Sequence, residues 1–429
     1  MIIVDNDQDH LRAIVDTFHL YGVACLGIRY DPETGLTPSH FRAVRFLFLD
    51  LHLLATATYG GREHYAHLAQ LLTDNISVDG GPFTLILWTN FDDQVDGLIS
   101  YLDTTQELPA HARPAAIGRL AKDRFLDESE RVGDHEALMR EVDEALALAP
   151  QVSALFSWER GVQVAGRSTL ASVVSLVPEE KRTSSEFPSA VDVALSRLAI
   201  AAVGKGNVAK DPRAAVNASL VPILADKVSS QHVAPDDDVW GNAVTATKVP
   251  PLPRTEAAIV NRMLHVALPE SEKILASDWG AVVSLPLDWN DDDAMSMRFG
   301  LNGAELFSTH FKVPPGVQSQ CSPKLVRIGA PCDYAQRRPG PIPYLLALVV
   351  PGDASSTGAR PDAIWCSPPL SLDPGGSQRL LVSAMFPWTA TREEARQWCV
   401  ECRLREQLLM QLIHSVGTYG TRPGHIAVY

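Results

Sequence analysis

Three carboxylates, an amide, a hydroxyl and an ammonium group stand at the ends of short apolar runs in the first third of this sequence. Asp5, Asn6 and Asp7 follow Met1 to Val4, Asp50 follows Arg45 to Leu49, Thr89 follows Phe83 to Trp88, and Lys122 follows the run near Ala115 to Ala121. Carboxylates grouped in this way can chelate a hard, oxygen-seeking cation such as Mg²⁺. One carboxylate presented to a phosphoryl donor can act as a nucleophile and become an acyl phosphate. A hydroxyl and a Lys beside it can bind the phosphoryl oxygens and neutralise their charge. Each residue also has a plain structural reading. Asp5 or Asp7 could cap a helix that starts near Asp9, and a Thr at a strand end is commonly a turn former. The order of all of them along the chain favours a site.

Those residues need elements to bring them together. The spacing of Leu11, Ile14, Val15 and Phe18 predicts an amphipathic helix over 9–21, with further helices over 64–72 and 94–102. Strands are expected at 1–4, 23–28, 45–49, 83–88 and 115–121, apolar on both faces, which implies a parallel sheet covered by helices on each side. Five such strands match the flavodoxin-like order, in which chemistry gathers at the carboxyl ends of the strands.

Ile2-Ile3-Val4-Asp5-Asn6-Asp7, Phe48-Leu49-Asp50-Leu51, Leu87-Trp88-Thr89-Asn90 and Leu120-Ala121-Lys122, taken in order, resemble the response-regulator receiver superfamily over residues 1–130. The resemblance implies that Asp50 is the phosphoacceptor and that Asp5, Asn6, Asp7 and Asp50 surround a Mg²⁺ ion. It also implies that Thr89 and Lys122 hold the phosphoryl group. The sequence departs from the family pattern where Asn6 replaces the second of two adjacent acids, Asp123 stands after the Lys in place of Pro, and Arg119 occupies the position of an aromatic switch residue. Asn6 supplies a carbonyl oxygen without the charge of an acid.

Beyond residue 130 the pattern changes. Helices are expected at 136–149, 152–164, 169–176, 190–203 and 214–227, forming a helical domain over 131–230, followed by an exposed linker over 231–256 that contains Asp236-Asp237-Asp238 and Pro250-Pro251-Leu252-Pro253. A β-rich domain over 257–429 follows a helix at 259–266. Its strands are short β-branched runs at 281–285, 324–328 and 344–350, and it ends in a long helix over 391–416.

Three motifs in this region could carry chemistry. Cys399 and Cys402, with Cys321, Cys332 and Cys366, could supply soft ligands to zinc, although Cys-x-x-Cys within a helix is poor knuckle geometry and buried free thiols are the ordinary alternative. Cys332 in Gly329-Ala330-Pro331-Cys332 could be a nucleophile if a base such as His310, His414 or His425 reached it. Asp288 to Asp293 looks like a calcium loop but lacks its Gly and distal Glu, so a solvated acidic loop is the expectation. The tail from Tyr419 to His425 could dock a partner or pack back on the domain.

The bulk composition bounds the function. At 429 residues, 46% hydrophobic and 21% charged, the chain has enough apolar mass for several cores. A net charge of −14 argues against a broad nucleic-acid-binding face. The longest apolar run, Tyr344 to Val350, is far short of a membrane span. The N-terminus has no basic region of the signal-peptide kind, and six cysteines without a short-loop framework fit a reducing cytoplasm.

The expected function is that of an atypical, bacterial-type response-regulator-like signalling protein. The resemblance implies a histidine kinase or a GHKL-type ATPase as partner, with output by protein contact, as in stress or phage-defence cassettes, and admits a homodimer. Nucleic acid and membrane are not expected as partners. The alternatives are a pseudo-receiver scaffold without phosphorylation and a Cys- or metal-dependent enzyme in the C-terminal module.

Overall fold

The computed structural model describes residues 1–54, 60–147, 149–231, 239–245, 249–336, 340–354, 356–373 and 376–421. The chain divides into two compact units, one formed by residues 1–170 with 224–249 and the other by 171–223 with 250–429.

The first unit is built on β1 (Ile2–Asp5), α1 (Gln8–Leu20), β2 (Leu26–Arg29), β3 (Phe46–Leu49), α2 (Gly60–Asn75), β4 (Thr84–Thr89), α3 (Val95–Thr104), β5 (Ala116–Ala121) and α4 (His135–Ala147). The five strands form one parallel sheet in the order β2-β1-β3-β4-β5, consistent with a flavodoxin-like arrangement. Alternate side chains feed two cores. Val4, Leu47, Leu49, Leu85 and Leu87 pack with Leu68 and Leu72 of α2 and Leu98 and Leu102 of α3. Ile3, Phe48, Ile86, Trp88 and Leu120 pack on the other face with Ile14 and Phe18 of α1 and Leu138 and Val142 of α4.

Burial on both faces is why β1, β3 and β4 read as continuous apolar runs, whereas the edge strand β2 is largely exposed and β5 only partly buried. Helix α4 lies close on β5: a Cβ at Gly118 would sit 3.0 Å from the Ala145 methyl carbon, which explains a strand glycine there. The register pairs Val4 with Leu49, Leu49 with Leu87, and Thr89 with Ala121, so the residues that end β1, β3, β4 and β5 lie side by side at one edge.

Helix α5 (Pro150–Ser175) is continuous over 26 residues and replaces the two helices expected at 152–164 and 169–176. Its interior holds no proline, and a glycine such as Gly166 costs only about 1 kcal/mol in a helix, too little to break it. The helices that follow are α6 (Phe187–Val203), α7 (Lys205–Val208), α8 (Pro212–Ser229) and the short α9 (Val239–Ala243). Asp236 to Asp238 of the expected linker lie outside the described residues.

The second unit continues with α10 (Arg254–His265), β6 (Val266–Ala267), β7 (Ala281–Ser284), α11 (Asp292–Phe299), α12 (Gly303–Glu305), β8 (Ser322–Arg327), α13 (Pro331–Ala335), β9 (Ile342–Pro351), β10 (Ile364–Cys366), β11 (Gln378–Ala390), α14 (Arg392–Ala395), β12 (Val400–Leu404) and α15 (Glu406–Gly420). Seven strands form one antiparallel sheet in the order β10-β11-β9-β8-β7-β12-β6. Val283, Leu325, Leu346 and Leu381 face Met295, Phe299, Leu306 and Phe307. Val282, Val326, Ala347, Val382 and Leu404 face Leu408, Leu409 and Leu412 of α15.

The second unit departs from the sequence expectations in two places. The strands are not uniformly short, since β9 has ten residues and β11 thirteen. The single terminal helix over 391–416 is instead α14, β12 and α15. Thr391 and Glu394 close a capping box that starts α14, and Cys402 and Leu404 then bury alternate side chains at strand period. Among the described residues no helix is long and apolar enough to cross a membrane.

Candidate functional site at the edge of the parallel sheet

Asp5 is the last residue of β1 and is fully buried, as is the end of β3 where Asp50 follows Leu49. The Asp50 N–H donates to Val4 O at 3.0 Å, tying the turn after β3 to β1. Lys122 leaves β5 through a tight turn in which its carbonyl accepts the N–H groups of Phe125 and Leu126. Its side chain runs inward, only 2% exposed, and places Nζ 2.7 Å from Asp5 Oδ2 and 3.1 Å from Asp50 Oδ2. A buried ammonium requires such partners, because an unpaired charge in the interior is strongly penalised.

Burial pushes the Asp5 carboxyl above the usual range; the Lys122 charge opposes that shift and the nearby Asp50 charge adds to it. Asp50 Oδ1 is buried with no hydrogen-bond partner, and Asp5 Oδ2 has only the lysine ion pair. Two carboxylates with under-satisfied oxygens suit a hard divalent cation, which binds oxygen ligands alone.

The other expected site residues are placed differently. Asp7 turns to the start of α1, where Oδ1 accepts the N–H groups of Asp9 at 2.8 Å and His10 at 3.1 Å. Burial would raise its carboxyl, but those two N–H donors outweigh it and hold the group below its ordinary value. The Asn6 amide donates to His52 O at 3.0 Å and Leu53 O at 3.3 Å, pinning the loop after Asp50. Thr89 is buried, and its hydroxyl accepts the Phe91 N–H at 3.2 Å.

Imidazoles missed by the sequence reading surround the ion pair. His10 Nδ1 lies 3.4 Å from Lys122 Nζ, and its Nε2 lies 4.0 Å from Glu130. Asp7, His10 and Glu130 offer ligand atoms within 4.8 Å of one another. Phe91, His52 and His64 form a stack, with ring centroids 3.6 Å and 3.9 Å apart. His52 Nε2 is 2.9 Å from Gln94 Oε1. Burial, and then the neighbouring His52, lower the His64 imidazole, while the Asp50 charge acts the other way. The sequence signal for His52 was its place two residues after Asp50; His10, His64 and Glu130 had none.

The other candidates are not assembled into sites. All six cysteines are free thiols, and the described residues hold no group of three or more metal-ligating side chains that includes a cysteine. Cys399 and Cys402 lie at and on β12 rather than on a helix, one exposed and one buried. Exposed Cys332 donates its thiol to the Asp333 carboxylate at 3.8 Å. His310 is bonded to Ser383, His414 is exposed on α15, and His425 lies outside the described residues, as does most of the tail motif. In the acidic loop Asp288 accepts from Asn290 and Asp291 caps α11, so both have local structural work.

No protein-family model matches the chain, and no curated protein or solved structure matches it.

Proposed function

We propose that the parallel-sheet unit is an atypical receiver-like phosphoacceptor module, with Asp50 as the acceptor, and that its state is read by protein contact. The observation that supports this reading is the Lys122 ammonium held between the Asp5 and Asp50 carboxylates at the carboxyl edge of the sheet. That edge is where ligands and chemistry gather in open parallel sheets.

In this reading an Asp50 carboxylate oxygen attacks the phosphorus of a small donor or a phosphohistidine. The phosphorus–oxygen or phosphorus–nitrogen bond to the leaving group breaks, and the leaving group departs with its electron pair. Oδ1, buried and without a hydrogen-bond partner, is the oxygen that Lys122 does not engage, and it is assigned the attack. Bound Mg²⁺, held by Asp5 and Asp50, would neutralise the incoming phosphoryl oxygens. Lys122 pairs with the added charge, and Thr89 offers its hydroxyl to it. Asp7 acts as the cap of α1, and Asn6 holds the acceptor loop. A histidine kinase or GHKL-type ATPase in the cytoplasm is the partner this chemistry calls for, and the second unit is the output.

Mg²⁺-dependent labelling with acetyl phosphate, read by intact mass, tests the reading. One phosphoryl adduct is expected on the wild type and none on Asp50→Asn. Absence of an adduct on folded wild-type protein, with no thermal shift from Mg²⁺, would reduce the buried trio to a structural ion cluster and favour a pseudo-receiver scaffold.

A further inference from the structure

The second unit forms a half-open cleft of about 810 Å³, within the span of roughly 300–1,000 Å³ typical of small-molecule sites. Its lining comes from α6 to α8, from the segment before β7, from α13, and from α14 through β12, all within that unit.

Acids and bases in this lining differ in what already occupies them. Asp278 is used on both oxygens, by the Tyr334 hydroxyl at 3.1 Å and by the Leu275 N–H at 2.8 Å. Asp211 caps α8 through the Ala214 N–H at 3.0 Å. Lys210 Nζ donates only to the side-chain Oδ1 of Asn207, at 3.4 Å, and neither it nor Arg392 has an ion pair among the described residues. Arg396 is shared with exposed Glu393. Behind the wall, Arg327 is buried beneath the Tyr334 ring with its Nε unpartnered, and the Arg392 charge reaches it. The lining thus sets three cationic side chains, Lys210, Arg392 and Arg396, against two carboxylates, Asp211 and Asp278, whose neutral hydrogen-bond donors leave their charge in place, and the cations exceed the acids by one.

The remaining lining is apolar and aromatic. The half-buried Trp398 indole is fixed edge-on by Tyr344 at 5.0 Å and Trp388 at 6.2 Å, which makes it a rigid wall for a planar group. Val203, Ala215 and Val400 continue that surface.

We propose that this cavity binds a nucleoside polyphosphate, with its phosphates on Lys210, Arg392 and Arg396 and its base against Trp398. The cation set accounts for the phosphates, the indole for the base, and the volume for both together. An inorganic polyphosphate would leave the aromatic wall unused, and a nucleoside would leave the cations unmatched.

Isothermal titration of the full chain with ATP and GTP, in EDTA, tests this without involving a cation at Asp5 and Asp50. Saturable binding of at least one nucleotide is expected, unchanged in Asp50→Asn. Lys210→Glu, at an exposed position, and Arg392→Ala are each expected to weaken it by roughly tenfold or more, with Arg392→Lys recovering part of the loss. Adenosine or guanosine alone, and tripolyphosphate alone, are expected to bind at least about tenfold more weakly than the nucleotide. The proposal is overturned if folded wild-type protein binds neither nucleotide at about 1 mM. It is equally overturned if tripolyphosphate binds as tightly as the nucleotide, or if the charge variants leave affinity unchanged. Acetyl phosphate labelling at Asp50 would be untouched by any of these outcomes.

Discussion

Lys122 Nζ and Asp5 Oδ2 lie 2.7 Å apart with both side chains sealed from solvent. Removing one partner of such a pair strands the other, which costs about 3–5 kcal/mol. Lys122→Met is therefore expected to lower stability by about that amount at pH 7 in urea unfolding. The loss should shrink toward pH 5, because the stranded carboxylates can then take up protons. A pH-independent loss would mean that side-chain packing, and not charge, is what the lysine supplies.

Asp50→Asn should behave in the opposite way. It keeps the Asp5–Lys122 pair and removes the second carboxylate, whose charge presses the Asp5 pKa upward. Its stability is expected within about 1 kcal/mol of wild type, while acetyl phosphate labelling disappears. This separates loss of chemistry from loss of fold, and a large destabilisation would void the labelling comparison.

Asp7 distinguishes a cap from a ligand. Asp7→Ala should cost about 1 kcal/mol through the start of α1, and Asp7→Ser should restore most of it, since serine accepts the same backbone N–H groups. If Asp7 is the cap alone, Asp7→Ser should also label with the same Mg²⁺ dependence as wild type. A marked rise in the Mg²⁺ needed would return Asp7 to the cation's ligands.

Acid should destabilise the second unit through His310. Burial pulls this imidazole down to about 4, and its Nε2 meets Ser383 Oγ at 2.8 Å on the last residue of a wide helical turn. The folded state thus binds fewer protons than the unfolded chain, whose imidazole titrates near 6.5. The contribution to stability is complete above about pH 6.5 and falls away as pH drops toward 4. His64 in the first unit has the same sign. Chemical denaturation at pH 7.5 and pH 5 should show a smaller pH effect in His310→Gln than in wild type.

Much of the parallel sheet was legible because its strands are buried on both faces, so that Phe46–Leu49 and Thr84–Thr89 stand out as apolar runs between helices. Asp5, Asp50 and Lys122 could be placed at one edge from strand order alone. The side chains of Asn6 and Asp7 could not, because an amide or carboxylate beside a turn chooses between solvent, backbone and site by local geometry that no spacing records. The end of the chain misled for another reason. Alternation in β12 spans only five residues between two helical stretches, too few to stand against the surrounding helical period. The nucleotide-sized cavity draws on segments nearly two hundred residues apart, from Val203 to Val400, and had no linear signature.

The buried trio at the sheet edge carries one positive and two negative charges, and so stands one charge short of neutrality. Whatever makes up the deficit, a proton on Asp5 or a metal cation from solution, contends for the same oxygens. Acidity and cation concentration then become interchangeable inputs to a single balance, and the apparent affinity for a divalent ion should rise as protons are withdrawn.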